Sequence, residues 1–489
     1  MRKILVANRG EIALRVMRTC RKMGIKTVAV YSEADREALH VKYADEAYLL
    51  GPPPSAQSYL LGDKIIEICI KAGVDGIHPG YGFLSENAGF ARKVKESGII
   101  LIGPTPEAME IMGNKLAAKA AVASFNVPMV SGINEAISDI AKAKLSAEKI
   151  GFPILIKASA GGGGKGMRVV NSLTDFEEQM NLAINEAKSA FGDGSVFIEK
   201  YVGSPRHIEI QVLGDNFGNI VYLFERECSI QRRHQKLVEE APSAIVTEEL
   251  RKRMGEAAVN VAKACNYTGA GTVEFLMDEN HDFFFLEMNT RLQVEHPVTE
   301  MITGLDLVKE QIRVARGEAL GYTQNELKIN GHAIELRVCA EDPAEDFVPS
   351  IGTLTTYIKP TGKNVRIDDC MEQGMEIPVY YDNMIAKLIV WAPDRSEAIA
   401  LMRDTIKKYE IEGIKTTLPF GEFVMEHEAF ISGQFDTHFI KNFYNAQSVS
   451  KQETEVAALF SSWLSEQSKR EVVLPNMGSK KAWYLRRKS

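Results

Sequence analysis

Short apolar runs alternate with amphipathic segments over the first 113 residues of the chain. Glu11–Lys22 and Lys64–Lys71 have the residue spacing of helices. Four apolar runs are typical of buried strands: Lys3–Ala7, Thr27–Tyr31, Val74–His78 and Ile99–Ile102. Strands that alternate with helices predict a parallel sheet with crossover connections, so we expect an α/β domain over residues 1–113.

The pattern changes further along the chain. Up to about residue 330, strands of alternating polarity are mixed with helical segments. After residue 331 the apolar runs are separated by Gly and Pro, which indicates a strand-rich unit. We therefore predict a second domain over 114–330 with a lid at about 130–203, a third domain over 331–445, and an extension over 446–489.

Composition narrows the classes of protein that remain. Of 489 residues, 45% are hydrophobic, which excludes disorder as the dominant state. The 58 Lys and Arg against 65 Asp and Glu give a net charge of −7, which argues against a nucleic-acid partner held by bulk positive charge. Every apolar stretch is shorter than the ~20 residues that span a bilayer, so no membrane association is expected. The six cysteines lack zinc-ligand or dithiol spacing, and we expect them to be reduced and the protein cytoplasmic.

A run of glycines lies between two strand-like segments. Ile154–Ala158 leads into Gly161–Gly164 and Lys165, after which an extended pattern resumes. Consecutive glycines let backbone amides approach a phosphate closely, and Lys157 and Lys165 supply positive charge beside them. A Walker A loop and a Rossmann turn both lead into a helix, whereas here a strand follows. The pattern favours a phosphate-binding flap, and a flexible hairpin tip is the alternative.

Two carboxylates face each other in a predicted β-hairpin. If Asp278 pairs with Phe283 across a four-residue turn, Glu274 lies opposite Glu287, with Cβ atoms roughly 4.5–5.5 Å apart. Such carboxylates repel unless a cation or a proton joins them, and Asn289 lies on the same face. Two carboxylates and an amide oxygen suit Mg²⁺ or Mn²⁺. A solvated strand face with lysine partners is an equally good interpretation of the hairpin alone.

Polar residues continue at every second position beyond this hairpin. Glu287, Asn289, Arg291, Gln293 and Glu295 would form one row if the chain stayed extended. An arginine and a second carboxylate next to metal ligands suit a small anion beside a metal–nucleotide complex.

Two more segments add polar groups to this set. Residues 206–212 place His207 and Glu209 on one strand face, and residues 225–236 combine several basic side chains with His234. A solvated loop explains any one of these residues. Their density favours a binding site.

These motifs together resemble the ATP-grasp core of biotin carboxylases. The resemblance extends from residue 1 to about 445 and rests on motifs in the family's order: 78–87, 161–166, 231–236, Glu274, 287–291 and 293–298. It implies an N-terminal parallel-sheet α/β domain, an ATP-grasp domain with a glycine-rich lid, and a strand-rich C-terminal domain.

The resemblance also implies a reaction and roles for individual residues. ATP phosphorylates bicarbonate to carboxyphosphate, which delivers CO₂ to a ureido nitrogen of biotin. ATP would be contacted by Lys115, Lys157, Gly163, Gly164, His207, Gln231 and His234. The adenine-binding hinge would be formed by Glu199, Lys200 and Val202. The metal, and through it ATP, would be held by Glu274, Glu287 and Asn289. Bicarbonate would be bound by Lys236, Arg291, Gln293 and Val294. Glu295 would be the base that deprotonates bicarbonate, and Arg337 would bind biotin and stabilise its enolate.

The implied cofactors are ATP, Mg²⁺ or Mn²⁺, and biotin as a substrate on a separate carrier protein. The chain has no biotin-accepting lysine flanked by methionines and no length for a carboxyltransferase domain. We therefore expect a carrier protein and carboxyltransferase subunits as partners, and a homodimer. Acetyl-CoA, propionyl-CoA and pyruvate all stay open as acceptors. Trp463, Trp483 and the basic C-terminal end suggest that residues 446–489 dock to a partner, with a disordered end as the alternative.

Three other classes of function fit the chain less well. An ATP-grasp ligase that acts on a different carboxylate is disfavoured by the row of Arg291, Gln293 and Glu295 and by Arg337. A dinucleotide oxidoreductase would need the glycine pattern that the first strand–helix turn lacks. A non-catalytic scaffold would have lost site residues, whereas every expected polar position is filled.

Overall fold

The computed structural model describes residues 1–133, 135–137, 139–159, 166–445 and Ser461. The predicted phosphate-contacting residues Gly163 and Gly164, and the predicted docking residues Trp463 and Trp483, lie outside this range. Within it, no helix combines the length and the apolar character that crossing a membrane requires. All six cysteines are buried and free of disulfides, which confirms the prediction from their spacing.

The first part of the chain is a five-stranded parallel sheet with helices between its strands. Its strands are β1 (Lys3–Val6), β2 (Lys26–Ser32), β3 (Glu46–Gly51), β4 (Gly76–His78) and β5 (Ile100–Leu101). Its helices are α1 (Gly10–Lys22), α2 (Leu39–Tyr43), α3 (Gly62–Ala72), α4 (Ala88–Glu96) and α5 (Pro106–Gly113). The strand order is β3-β2-β1-β4-β5, so the predicted α/β architecture is confirmed.

The sequence pattern does not predict β3. This strand lies at the edge of the sheet, and its residues are mostly half-buried or exposed, so they do not form an apolar run. The other strands have the continuous apolar runs that parallel sheets covered on both faces require.

A smaller antiparallel sheet follows, in the region where the lid is predicted. The helices here are α6 (Lys115–Val122), α7 (Ile140–Ile150) and α8 (Phe176–Phe191). The strands are β6 (Gly132–Ile133), β7 (Ile154–Ala158), β8 (Arg168–Val170) and β9 (Val196–Lys200), in the order β6-β9-β7-β8. Because β7 pairs with β8, the strands that flank the glycine run are confirmed as a hairpin.

The remainder of the chain is rich in antiparallel strands. Residues 206–315 form β10 (Arg206–Gly214), β11 (Ile220–Arg232), β12 (Gln235–Ala241), α9 (Glu248–Ala264), β13 (Gly269–Met277), β14 (Phe283–Asn289), α10 (His296–Thr303) and α11 (Leu307–Ala315). Residues 332–443 form β15 (His332–Cys339), β16 (Glu341–Asp342), β17 (Val348–Pro349), β18 (Thr356–Ile358), β19 (Val365–Asp369), β20 (Met384–Ala392), α12 (Arg395–Ile406), β21 (Glu410–Glu412), α13 (Leu418–Glu426), α14 (Glu428–Ile431) and α15 (Phe439–Phe443).

One eight-stranded sheet extends through both of these stretches, in the order β14-β13-β10-β11-β12-β15-β20-β19. The pairing of β12 with β15 carries the sheet past residue 330, where the sequence predicts a change of domain. Strands that the pattern assigns to two units therefore share one hydrogen-bonded framework.

The alternation of polarity in β10 and β13 decides which face of this sheet binds ligands. Ile208, Ile210, Val273 and Phe275 belong to an apolar cluster covered by α9. Helix α9 contributes Leu250, Met254, Ala258 and Val261 to the same cluster, at the spacing of one helical face. Glu209 and Glu274 lie between those apolar positions, so they point to the opposite face.

Candidate active site

A cavity of about 620 Å³ lies between the smaller sheet and the polar face of the eight-stranded sheet. Its wall contains most of the residues that the sequence singles out: Lys115, Lys157, Glu199, Lys200, Val202, His207, Gln231, His234, Lys236, Glu274, Glu287, Asn289, Arg291, Gln293, Val294 and Arg337. Glu295 is fully buried and bonded to two of these residues.

The carboxylate pair is present, although the register from which it was predicted is wrong. Met277 pairs with Phe283, so the turn has one residue more than predicted and Asp278 lies within it. A β-bulge between Glu274 and Phe275 then shifts the register and brings Glu274 opposite Glu287. With Glu274 only 5% exposed, the solvated strand face is excluded for this carboxylate.

Lys236 lies at the centre of the polar groups. Its Nζ donates hydrogen bonds to Glu209 at 2.5 Å, to Glu274 at 3.0 Å and to Glu295 at 2.7 Å. Burial alone would lower the pKa of this lysine, but the three carboxylates outweigh burial and raise it well above its ordinary value. The ammonium group therefore stays charged and holds three carboxylates together.

Glu295 is shared between Lys236 and Arg337. Arg337 Nη2 donates to Glu295 Oε2 at 2.9 Å, and its Nε donates to Glu239 at 2.6 Å. Burial favours the neutral form of Glu295, but Lys236, Arg337 and Arg226 outweigh it and hold its pKa well below the ordinary value. Glu295 is therefore an ionised carboxylate and a weak base while these ion pairs persist.

The row of polar residues beyond the hairpin is not one extended strand. Strand β14 ends at Asn289 and α10 begins at His296, so residues 290–295 form an irregular segment. The side chains still meet, because Arg291 donates to Gln293 at 2.8 Å and to Asn289 at 3.0 Å. Its Nε donates to Glu86 at 2.8 Å, a residue to which the sequence assigns no separate role.

One histidine and the side-chain amides of Asn289 and Gln293 contact Glu274 on its other sides. His207 Nε2 lies 2.9 Å from Glu274 Oε2, and Asn289 donates to Glu274 Oε1 at 2.9 Å. Burial lowers the pKa of His207, but Glu274 outweighs it and the pKa lies above its ordinary value. Burial, His207 and Lys115 together lower the pKa of His234, which is therefore neutral near pH 7.

Cations also gather on the side of the cavity formed by the smaller sheet. Lys157 Nζ lies 2.5 Å from Glu199 Oε2, and Lys119 also contacts Glu199. Burial, with nearby Lys115 and Lys119, lowers the pKa of Lys157 to about 7, and the Glu287 carboxylate opposes that effect. The Lys200 side chain instead donates to the backbone carbonyls of residues 151 and 152.

The sequence patterns miss some residues of the site. Lys119 is buried one helical turn after Lys115 on α6, and that i, i+4 spacing is a signal that could have identified it. The apolar part of the wall follows no local motif, because its residues come from separate segments of the chain: Val130, Leu155, Met167, Tyr201, Leu276 and Leu286. A flat apolar ring system suits this part of the cavity.

The side chains present fit a hard divalent cation. Glu274 and Glu287 are cross-strand neighbours on the cavity wall, and Asn289 adds an amide oxygen. A different set, His207, Glu209 and Glu274, also brings its ligand atoms within 4.8 Å of one another. Lys236 is bonded to both carboxylates of that set but, in the first set, only to Glu274, so the second set is the more fully neutralised by the ammonium group.

Three family models match successive parts of the chain. Residues 1–109 match the family "Biotin carboxylase, N-terminal domain", and residues 335–442 match "Biotin carboxylase C-terminal domain". Residues 114–323 match "Carbamoyl-phosphate synthase L chain, ATP binding domain".

Full-length relatives and solved structures agree with these matches. A pyruvate carboxylase subunit of Methanothermobacter thermautotrophicus is 55% identical over 441 residues, which cover 90% of both chains. Biotin carboxylase of Halalkalibacterium halodurans is 52% identical over 443 residues, 90% of this chain and 97% of the relative. The biotin carboxylase domain dimer of Hydrogenobacter thermophilus 2-oxoglutarate carboxylase, solved with MgADP, ADP and bicarbonate, is 48% identical with a TM-score of 0.88. That alignment covers 91% of this chain and 98% of the solved one.

Replacement of Lys236 by methionine tests the charge balance of the site. The substitution leaves three buried carboxylates without their shared cation, and we expect the free energy of unfolding to fall by about 3 kcal/mol. Chemical denaturation of the ligand-free protein measures this change.

Lys252→Met is the matched control, because that lysine side chain is 72% exposed on α9 and makes only a surface pair with Glu256. Equal unfolding free energies for the two variants would show that Lys236 does not balance buried charge.

Proposed function

The chain belongs to the biotin carboxylase family, and on that premise we propose that it uses ATP and bicarbonate to carboxylate biotin on a separate carrier protein. It is an ATP-dependent ligase that requires Mg²⁺ or Mn²⁺. The observation that carries the proposal is one cavity in which a carboxylate pair for a metal–nucleotide adjoins the cluster of Lys236, Arg291, Glu295 and Arg337.

ATP binds with its phosphates toward the lysines and its base in the apolar part of the cavity. Lys115 and Lys157 approach the phosphates, with His207, Gln231 and His234 near them. Gly163 and Gly164 belong to the flap that closes over the phosphates, although they lie outside the described residues. Glu199, Lys200 and Val202 form the hinge at the base, where the Lys200 side chain braces the backbone.

Glu274, Glu287 and Asn289 hold the divalent cation, which when bound neutralises phosphate charge during phosphoryl transfer. Lys115 Nζ lies 3.6 Å from Glu287 Oε2, so a cation of the protein is already next to this carboxylate pair. Phosphates held by a cation on this pair would therefore lie next to Lys115.

Bicarbonate binds between Lys236 and Arg291, with Gln293 and Val294 beside it. When the anion engages Lys236, the ammonium group is shared with a fourth negative charge and its hold on Glu295 weakens. The pKa of Glu295 then rises from its depressed value, so the carboxylate becomes able to accept the proton of bicarbonate.

The deprotonated bicarbonate oxygen attacks the γ-phosphorus, the bond to ADP breaks, and carboxyphosphate forms. Carboxyphosphate then breaks its bond between carbon and the bridging oxygen and gives CO₂ and phosphate beside biotin. The phosphate accepts the proton of the biotin ureido nitrogen, and that nitrogen forms the bond to CO₂. Arg337 stabilises the negative charge that develops on the biotin ureido oxygen, since a preorganised cation in a water-poor cavity is well suited to such a charge. Arg337 is held for this role by Glu239 and Glu295.

Carrier and carboxyltransferase subunits complete the enzyme, and the chain forms a homodimer. Support comes from the relatives, which are named as subunits or chains of pyruvate, methylcrotonoyl-CoA and propionyl-CoA carboxylases. One solved relative is described as a domain dimer. Because these relatives differ in acceptor but share this fold, the acceptor is selected by the carboxyltransferase.

ATP hydrolysis by the purified chain tests the proposal. We expect turnover that needs bicarbonate and Mg²⁺ and that is strongly stimulated by free biotin. Coupled detection of ADP, with each component omitted in turn, measures this. Turnover that is independent of bicarbonate, or equal with and without biotin, would refute the assignment.

Arg291→Ala tests the anion site. Removal of a preorganised charge-stabilising donor costs about 10²–10³ in rate, and we expect a loss of that size in biotin-dependent turnover. Arg313→Ala is the control, because Arg313 is likewise a carboxylate-paired arginine, with Glu310 and Glu318 as partners, but lies outside the cavity wall. Near-normal turnover of Arg291→Ala would remove this arginine from the active site.

A further inference from the structure

The segment 290–295 carries the groups that the proposed function places at bicarbonate, yet it belongs to neither a strand nor a helix. A strand in the sheet has its backbone fixed by neighbouring strands, whereas an irregular segment needs other partners for its polar groups. The conformation of this segment therefore depends on side chains that reach it from elsewhere in the fold.

Three side chains from outside the segment bond to its backbone, two from distant parts of the chain and one from the residue that follows it. Glu86 accepts a hydrogen bond from the N–H of Thr290 at 2.9 Å. The ring Nδ1 of His296 lies 2.8 Å from the carbonyl oxygen of Gln293. The third is Lys387, whose Nζ donates to the carbonyl oxygen of Val294 at 2.9 Å.

Lys387 is far from Val294 in the sequence, and its burial costs free energy. It lies on β20, and its side chain is 0% exposed. Burying an ammonium group costs free energy, and an apolar side chain of similar volume is often at least as good for stability alone. A lysine at this position is therefore better explained by what its ammonium group holds.

The nearer ionic partner of Lys387 is a carboxylate in the N-terminal sheet unit. Glu11, in the first turn of α1, places its Oε2 3.3 Å from Lys387 Nζ, whereas Asp368 lies at 4.0 Å. The second oxygen of Glu11 accepts a hydrogen bond from the hydroxyl of Tyr81, a residue of the cavity wall. The ion pair between Lys387 and Glu11 thus connects the Val294 carbonyl with Tyr81, another residue of the same cavity wall.

We propose that Lys387 is a positioning residue for the bicarbonate-binding segment and that Glu11 fixes its ammonium group in place. The proposal rests on the proposed function. It extends that function by a residue that touches no substrate and acts through the peptide group between Val294 and Glu295.

The planarity of that peptide group explains how the effect reaches Glu295. The carbonyl of Val294 and the N–H of Glu295 lie in one plane, so holding the carbonyl oxygen also orients the backbone of Glu295. Glu295 contacts both Lys236 and Arg337, and its carboxylate reaches the two cations from one defined backbone position. Small displacements of reacting groups cost up to about 10²-fold in rate, so this orientation matters for the anion site.

Lys387→Met is the direct test. The substitution keeps the volume of the side chain but removes the donor to Val294. We expect the KM for bicarbonate to rise about tenfold or more, as loss of a charge-assisted hydrogen bond predicts, while the KM for ATP is unchanged. Lys407→Met, a lysine that is 54% exposed and paired with Glu422, is the matched control.

The double variant Glu11→Gln/Lys387→Met separates positioning from charge balance. It removes both charges, and a glutamine can still accept the Tyr81 hydrogen bond, so we expect the denaturation midpoint to recover from that of Lys387→Met. The raised KM for bicarbonate should persist, because the donor to Val294 is still missing.

Two results would overturn the inference while leaving the proposed function intact. One is an unchanged KM for bicarbonate in both variants, and the other is recovery of the KM together with stability in the double variant. Either result would reduce Lys387 to a counter-ion for Glu11. A wild-type protein without bicarbonate-dependent turnover would instead contradict the proposed function, and the inference with it.

Discussion

The contact of Lys236 with Glu209, Glu274 and Glu295 is the interaction on which the cavity depends. Two of the three carboxylates are fully buried and the third nearly so, and like charges at such distances cannot all ionise without a cation. The ammonium group makes that arrangement stable in the absence of ligand. In the proposed function it also connects the nucleotide side of the cavity, through Glu274, with the anion side, through Glu295.

The eight-stranded sheet provides the rigid frame for this contact. Glu274, Glu209 and Lys236 belong to β13, β10 and β12, while Arg337 lies on β15, beyond the predicted domain change. Positions on paired strands are fixed by backbone hydrogen bonds, so side chains on neighbouring strands keep their spacing. The irregular segment 290–295, which carries Arg291, Gln293 and Val294 of the proposed bicarbonate site, is held instead by side-chain contacts to its backbone.

The sequence predicts those parts of the fold that have strong local patterns of apolar residues. It predicts those parts of the site in which polar residues recur at every second position. Apolar runs locate most parallel strands of the first unit, whereas the half-exposed edge strand β3 leaves no such run. The Glu274–Glu287 pair is predicted correctly from a register that is wrong, because a β-bulge compensates for a longer turn and no periodicity reports a bulge.

Other features depend on contacts between distant parts of the chain. The pairing of Lys387 with Glu11 and Val294 joins residues that are far apart in the sequence, and no spacing rule connects them. The alternation of polarity also does not predict that β14 ends at Asn289. The alternating polar row continues past the strand, because those side chains serve the cavity and not a sheet face.

The proposed mechanism requires that a bicarbonate oxygen attacks the γ-phosphorus of ATP within this cavity. Turnover of ATP with free biotin and ¹⁸O-labelled bicarbonate, followed by mass analysis of the phosphate released, tests this step. If carboxyphosphate forms and then loses CO₂, one bicarbonate oxygen stays on phosphorus, and we expect one ¹⁸O atom in each phosphate. Phosphate that carries no label would mean that water attacks ATP, and it would contradict the mechanism.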